Sequence, residues 1–483
     1  MNAPRFAVLA LALIAITLTV VFIMAKNRRG SYPGFKEVVK NPEYFDNISQ
    51  ARAEVDSAAK AAKNWDDGKV ASLTKRFVLE ATTTRDASDQ AQILNELGER
   101  THPTVLGLLR DPSLYSRLVR PTGTDILPEA PFNRACHLLG DSPGAEAVEA
   151  LAPFLSDPSS EIRKDAALAI AKTGAATITP LVRKAFSDQD EYVRSYALMG
   201  LPFALNRSGL SDSAQADLFP DVLDLLRAAR NADEAADILY RFNSAKAKDY
   251  FLSQEVLTTK SPILHEALKV LANAKVSVPR EALKSLIASL EMQELKYPRT
   301  YALGEALRML GQQQREEDRD FLRGYMKHPD ERVAQGAAAG LLSSFGLEGF
   351  KQRIWDTEQR SGYESLTEQQ RFYSAVLMCD AEINNGGLAQ YFVNSSGDRW
   401  QDALAGFKAM GFKERFAVLN EAIADFGRSG PSADRSIRQA QLSKLYKRDD
   451  AIFYDLETRY YKSTEVVEVF ASRFVLENPE GFR

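Results

Sequence analysis

A chain of 483 residues is too long for one compact core and leaves room for about three domains. With 45% hydrophobic and 26% charged residues it has the balance of a folded chain, and 65 acids against 61 bases supply no one-sign field of the kind that nucleic-acid binding needs. Two cysteines, Cys136 and Cys379, exclude a disulfide scaffold and form no CxxC or zinc framework; each sits in an apolar helical context and reads as a buried free thiol.

From Phe6 to Ala25 no residue is charged. About 20 residues at 1.5 Å rise span the ~30 Å hydrocarbon core of a bilayer. The run is longer than the apolar part of a secretory signal and ends in Met24-Ala25-Lys26-Asn27-Arg28-Arg29, so residues 1–30 are expected to be an uncleaved transmembrane anchor, with a cleaved signal as the alternative. Lys26, Arg28 and Arg29 outnumber Arg5 and the amino terminus on the other side. That asymmetry favours a single-pass membrane protein with its soluble part in the cytoplasm; a periplasmic or extracytoplasmic body is the alternative.

Residues 31–90 read as a juxtamembrane helical segment. Gly30-Ser31-Tyr32-Pro33-Gly34 is turn-rich, and Ala51, Val55, Ala58, Ala59 and Ala62 then recur at helical spacing on one face. The stretch Ala81-Thr82-Thr83-Thr84-Arg85-Asp86 reads as a break, with Asp86 or Ser88 placed to cap the next helix.

A repeat occupies the middle of the chain. Asp157 and Asp188, Ile162 and Val193, Arg163 and Arg194, and Ala166 and Ala197 are each 31 positions apart. A more degraded copy runs from His328-Pro329-Asp330 to Leu341, and Leu109-Arg110-Asp111-Pro112 is a weak echo. In each unit an apolar helix ends at Asp-Pro or Asp-x-Asp, where an acid can cap the next helix and proline cannot extend the last. The second helix presents aliphatic residues and alanines that allow close approach. Neither helix buries its face alone, so the units must stack. These residues resemble HEAT repeats in the short bacterial, phycobilin-lyase-like form, and the likeness runs over residues 91–350. The signature is sharp in two consecutive copies and fades between Asp212 and Gln314, where the pattern stays helical. The resemblance implies an armadillo-like α-solenoid whose long surface binds protein partners or serves as a spacer. Nucleic acid is not expected there, because Arg163, Lys164, Arg183, Lys184 and Arg194 are offset by Asp165, Asp188, Asp190 and Glu191.

Near Gly349 to Gly362 the composition shifts, and residues 351–483 read as a separate helical domain. Thr367 is placed to cap a helix that is expected to end at Asn384-Asn385-Gly386-Gly387, since Asn and Gly tolerate positive φ. Gln390-Tyr391-Phe392 starts the next helix and Asn394-Ser395-Ser396-Gly397 closes it. The positions Glu382, Asn384, Asn385, Gly386, Gly387, Gln390, Tyr391, Phe392, Asn394, Ser395 and Gly397 carry a resemblance to the carboxy-terminal domain of the bacterial DNA-mimic protein family, which extends over most of Glu364 to Phe482. The resemblance implies a small all-helical domain whose carboxylates imitate DNA phosphates and so occupy DNA-binding proteins. Mimicry needs a dense negative surface, yet residues 351–483 hold about 20 acids against about 18 bases.

Two roles are open for the motif: a turn held by Glu382 and its amides, or a partner-binding loop. A third possibility makes Glu382 a general base in an enzyme using the Glu382 to Gly387 loop. No nucleophile or second carboxylate pair accompanies it. His102, His137, His265 and His328 are isolated in sequence, and no metal or nucleotide motif is present. The chain therefore reads as all-α: an N-terminal transmembrane helix, an α-solenoid of HEAT-like helix pairs and a small helical domain. It is expected to be a membrane-anchored scaffold that binds protein partners without catalysis, cofactor or metal. Oligomerisation is left open.

Overall fold

A computed structural model describes residues 43–81, 84–120, 130–140, 144–207 and 209–483, and within them every regular element is a helix, with no strand. One part of the expected architecture is corrected. Among the described residues no helix is long and apolar enough to cross a membrane. The reason is physical: even the longest described helical stretch, the 26 residues Glu368–Val393, carries charges at Glu368, Arg371, Asp380 and Glu382. The run from Phe6 to Ala25 lies outside the described residues, and so does the orientation argument built on it.

The described chain divides into two compact units, Ser49–Gly340 and a second that contains Leu341–Arg483. In the first, the helix that ends at Ala62 is followed by a break that the alanine periodicity does not foretell. Asp66 there caps Asp67–Glu80 by accepting from the Lys69 N–H at 2.9 Å.

The repeat consists of one hydrogen bond made four times. Asp157 Oδ1 accepts from the Ser159 N–H at 2.8 Å and Asp188 Oδ1 from the Asp190 N–H at 2.9 Å. The weak echo does the same, Asp111 from Ser113 at 2.9 Å, and in the degraded copy His328 Nδ1 takes the place of the carboxylate, accepting from Asp330 at 3.0 Å. The acid thus turns the chain between helices more than it caps the second one. Arg163 and Arg194 make equivalent bonds as well. Arg163 Nη1 donates to the Asp157 carbonyl at 2.9 Å, and Arg194 Nη1 to the Asp188 carbonyl at 2.8 Å. Arg163 also reaches forward to the Asp188 carboxylate of the next unit, at 2.7 and 3.0 Å. These arginines staple consecutive turns.

One helix of each pair belongs to a continuous row. In chain order the row is α1 (Pro131–Leu139), α2 (Ser160–Thr173), α3 (Glu191–Asn206), α4 (Ala232–Phe242), α5 (Leu264–Asn273), α6 (Arg299–Gln312) and α7 (Glu331–Ser344). Each packs on the next, α1 on α2 through α5 on α6. The α6–α7 contact is backbone on backbone: a Cβ on Gly336 would lie 2.2 Å from the Gly304 carbonyl oxygen. Partner helices such as Thr179–Phe186, Asp212–Arg227 and Arg280–Glu291 pack against the row with their apolar faces. The pairing therefore continues through 212–314, where the sequence signature fades. Cys136, in α1, is a buried free thiol whose pKa burial pushes up.

The second unit is built around α8 (Glu368–Val393). It packs on α9 (Trp400–Ala409), α11 (Arg435–Arg448), α12 (Tyr454–Lys462) and α13 (Val467–Glu477), while α10 (Glu414–Ala424) packs on α9 and α12. The core is aromatic. Phe350, Tyr373 and Phe482 meet edge-on at 5.0 to 5.8 Å, and Phe392 lies 4.8 Å from Phe426. Cys379 is buried among them.

Candidate functional site

The motif of the second unit begins on α8 and runs past its end to Gly397, and Thr367 caps α8 in a reciprocal box with Gln370: the Thr367 hydroxyl accepts from the Gln370 N–H and the Gln370 side chain accepts from the Thr367 N–H. As the sequence implies, the first helical stretch ends here: Gly386 (φ −156°, ψ 21°) and Gly387 (φ 83°, ψ −178°) are non-helical, and a second stretch runs on to Val393, so α8 is two helices joined at a kink. Only glycine adopts the backbone of Gly387 readily. The kink is occupied from outside: Glu457 of α12 accepts from the Leu388 N–H at 2.9 Å, and a Cβ on Gly387 would lie 2.3 Å from the same Glu457 Oε1. A distant carboxylate thus caps the resumed helix.

Glu382 spans the kink. Its Oε2 accepts from Gln390 Nε2 at 2.7 Å and Asn394 Nδ2 at 2.9 Å, and its Oε1 from the Ser396 hydroxyl at 3.2 Å. Glu382, Gln390 and Asn394 of the motif thus converge, joined by Ser396 in place of the expected Ser395, which is exposed. Asn384 and Asn385 are exposed on the outer side of the kink, and the Ile383 carbonyl between helix turns accepts from the Tyr461 hydroxyl at 2.6 Å. Tyr391 and Phe392 point the other way, into the core, each fully buried. Gly397 is needed for close approach, since a Cβ there would lie 2.6 Å from the Tyr391 carbonyl oxygen.

Beyond the motif, Arg438 of α11 is wholly buried. It donates to the Phe392 carbonyl at 2.7 Å, the Asn394 carbonyl at 3.0 Å and the Ser432 carbonyl at 2.7 Å, and pairs with Asp398. Arg435 and Gln439 both donate to the Val393 carbonyl, at 3.0 and 3.1 Å. The carbonyls that end α8 are thereby satisfied by side chains from one neighbouring helix. Sequence reading misses Glu457, Arg438, Arg435 and Gln439; the signal for them is the helix end itself, which needs partners from elsewhere.

The carboxylates of the unit are largely committed. Asp380 pairs with Arg415 at 2.6 Å and accepts from the Tyr460 hydroxyl at 2.8 Å; burial raises its pKa against the opposing pull of Arg415. Glu421 pairs with Arg459 at 2.6 Å, Glu358 with Arg399 at 2.7 Å and Asp402 with Arg371 at 3.4 Å. Glu465 accepts from the N–H groups of Lys413 and Arg415 at 2.7 and 3.0 Å. No group of three or more His, Cys, Asp or Glu side chains placed to hold a metal is found among the described residues.

Comparison with known proteins agrees with both resemblances read from the sequence. Residues 133–202 match HEAT repeats, the segment that holds the two sharp copies, and residues 364–478 match the family described as DMP19-like protein, a DNA-mimic domain. The search of curated proteins finds no match. Among solved structures, a crystal structure of an engineered protein is 18% identical over 77% of this chain and 98% of its own, with a TM-score of 0.28, too weak a likeness to bear on the fold.

Proposed function

We propose that the protein is an interaction scaffold that binds partner proteins along the row α1 to α7 and through the DMP19-like unit. The observation that carries this reading is the uninterrupted row of helices, of which α3 holds Tyr192 60% exposed and Met199 39% exposed to solvent. Large apolar side chains grouped on one helix face are the kind of surface partners cover. Co-purification tests it with the full chain and a Tyr192→Glu, Met199→Glu variant. A partner retained by the first and lost by the second is the expected outcome; equal retention contradicts it.

The role we assign to Glu382 is to hold the kink. Its two oxygens accept from three neutral donors that lie beyond the bend, an arrangement that supports positioning over proton transfer. A second reading is favoured by the family match over residues 364–478: the terminal unit occupies a DNA-binding protein in place of DNA. Its arginine-paired carboxylates weigh against a continuous negative face. A competition experiment separates the two. The full-length protein should leave a basic DNA-binding protein on its duplex at moderate salt, and displacement of the DNA would restore mimicry.

A further inference from the structure

A cavity of about 510 Å³ opens between α4, α5, α6 and α7, wholly within the first unit. Gly304 and Gly336 line one side, where the two helix backbones touch. Aromatic rings line another: His265 meets Tyr301 edge-on at 5.2 Å, Tyr301 meets Tyr297 at 5.4 Å, and Tyr297 is 72% exposed at the mouth.

Three cations reach this cavity, and each already has a counter-charge. Lys269 pairs with Asp233 at 2.6 Å, Arg308 with Glu305 at 2.6 Å and Arg332 with Glu331 at 3.6 Å. Asp233 and Glu305 line the cavity with the first two cations, whereas Glu331 does not, and Arg332 also lies over the Tyr301 ring at 5.2 Å; Glu266 is the lining acid that no lysine or arginine reaches. This residue is 6% exposed, and its Oε2 has no hydrogen-bond partner. The nearest basic atom to its Oε1 is His265 Nδ1 at 3.6 Å, beyond hydrogen-bond reach, and that nitrogen has no partner either. A carboxylate withdrawn from water without a cation is unfavourable until one arrives. In the tautomer that carries its proton on Nε2, the imidazole beside it offers Nδ1 as a second acceptor to the same visitor.

We propose that the cavity receives a lysine or arginine side chain of the bound partner protein. Glu266 is its counter-charge, and the exposed ring of Tyr297 lies along its aliphatic stem, a face of Tyr301 being held already by Arg332. This rests on the scaffold reading and adds the chemistry of what the row recognises. An ammonium or guanidinium has donors for both Glu266 and His265 Nδ1, whereas an acidic or apolar side chain leaves both orphaned.

The test uses the full chain and four capped peptides, Gly-Gly-Xaa-Gly-Gly with lysine, arginine, norleucine or glutamate at the centre, titrated by saturation-transfer NMR. The lysine and arginine peptides should bind at least about tenfold more tightly than the norleucine and glutamate peptides, as a charge-assisted bond implies. Glu266→Gln should abolish that preference while raising the melting temperature, because it removes an unpaired buried charge. Tyr297→Ala, at an exposed position, should weaken the basic peptides without lowering the melting temperature, and it serves if the first variant fails to fold. Preference for the glutamate peptide, an unchanged lysine preference in Glu266→Gln or in Tyr297→Ala, or no binding by any peptide would overturn the proposal. The scaffold reading fails separately: it falls if Tyr192→Glu, Met199→Glu leaves partner retention untouched.

Discussion

The two units solve the same problem, satisfying the ends of many short helices, in opposite ways. In the solenoid the answer is local and repeated: an acid or histidine accepts from the N–H two residues on, and an arginine six residues on returns to the carbonyl of that acid. In the terminal unit the local Thr367 box starts α8, but its kink and its end are served from far away. Arg438 reaches the end of a helix 46 residues earlier, and Glu457 caps the kink 69 residues earlier. A solenoid built this way gains stability unit by unit from its neighbours, whereas the terminal unit depends on a few buried polar side chains whose removal is felt throughout.

Stability measurements on the two units, read separately, sharpen that contrast. Chains that keep only Trp65 or only Trp400 report on the first and second unit, since the Trp400 indole N–H donates to the Pro431 carbonyl inside the second. The largest effect is expected for Arg438→Met. It orphans buried carbonyls and the Asp398 partner, and should remove about 3–5 kcal/mol from the terminal unit in denaturant titration while leaving the solenoid transition in place. Gly336→Val comes next, because its side chain would meet the Gly304 backbone. About 2–3 kcal/mol should be lost from the solenoid alone, seen as a lower denaturation midpoint of the Trp65 signal. Glu382→Ala leaves the Gln390, Asn394 and Ser396 donors without their acceptor and should cost the terminal unit about 1–2 kcal/mol. A smaller loss of stability, accompanied by loss of partner binding in the folded variant, would make the residue part of a binding surface instead.

A smaller, pH-dependent effect belongs to the stapled turns. Arg163 holds the pKa of Asp188 below the ordinary carboxylate value, chiefly through their hydrogen bond. A carboxylate with a depressed folded pKa stabilises above its unfolded pKa and loses that contribution as pH falls through the folded value. Asp188→Asn should therefore cost the solenoid about 1 kcal/mol at pH 7, with the difference shrinking once pH drops below about 4. A constant difference across that range would mean that the bond acts without charge. The smallest effect is expected for Glu421→Ala. Its pair with Arg459 is half exposed on both sides, so less than about 0.5 kcal/mol should be lost.

The contrast also explains what can be read from the chain. The turn acids Asp157 and Asp188 and the arginines that follow them are legible because their partners lie two to six residues away and the pattern returns after 31 positions. His328 in the third copy is visible only as part of a degraded echo, since a histidine accepting in place of a carboxylate is not a substitution that pattern matching foretells. Thr367 is legible as a cap for the same local reason. Gly386 and Gly387 mark a change of backbone direction, but nothing nearby indicates that Glu457 fills it and lets α8 resume. Arg438 gives no signal, because a buried arginine and an exposed one look alike in sequence until the carbonyls it serves are known. Glu266 and His265, adjacent on α5, look isolated until α6 and α7 bring Tyr301 and Arg332 beside them.

Photocrosslinking in the full-length protein tests the scaffold reading most directly. A photoreactive residue at Met199 on α3 and another at Tyr297 beside α6 should give adducts with the same partner protein, and one at the exposed Ala216 on the helix Asp212–Arg227 should give none. Absence of adducts from both row positions, or an equal yield of the same adduct from Ala216, would contradict binding along the row.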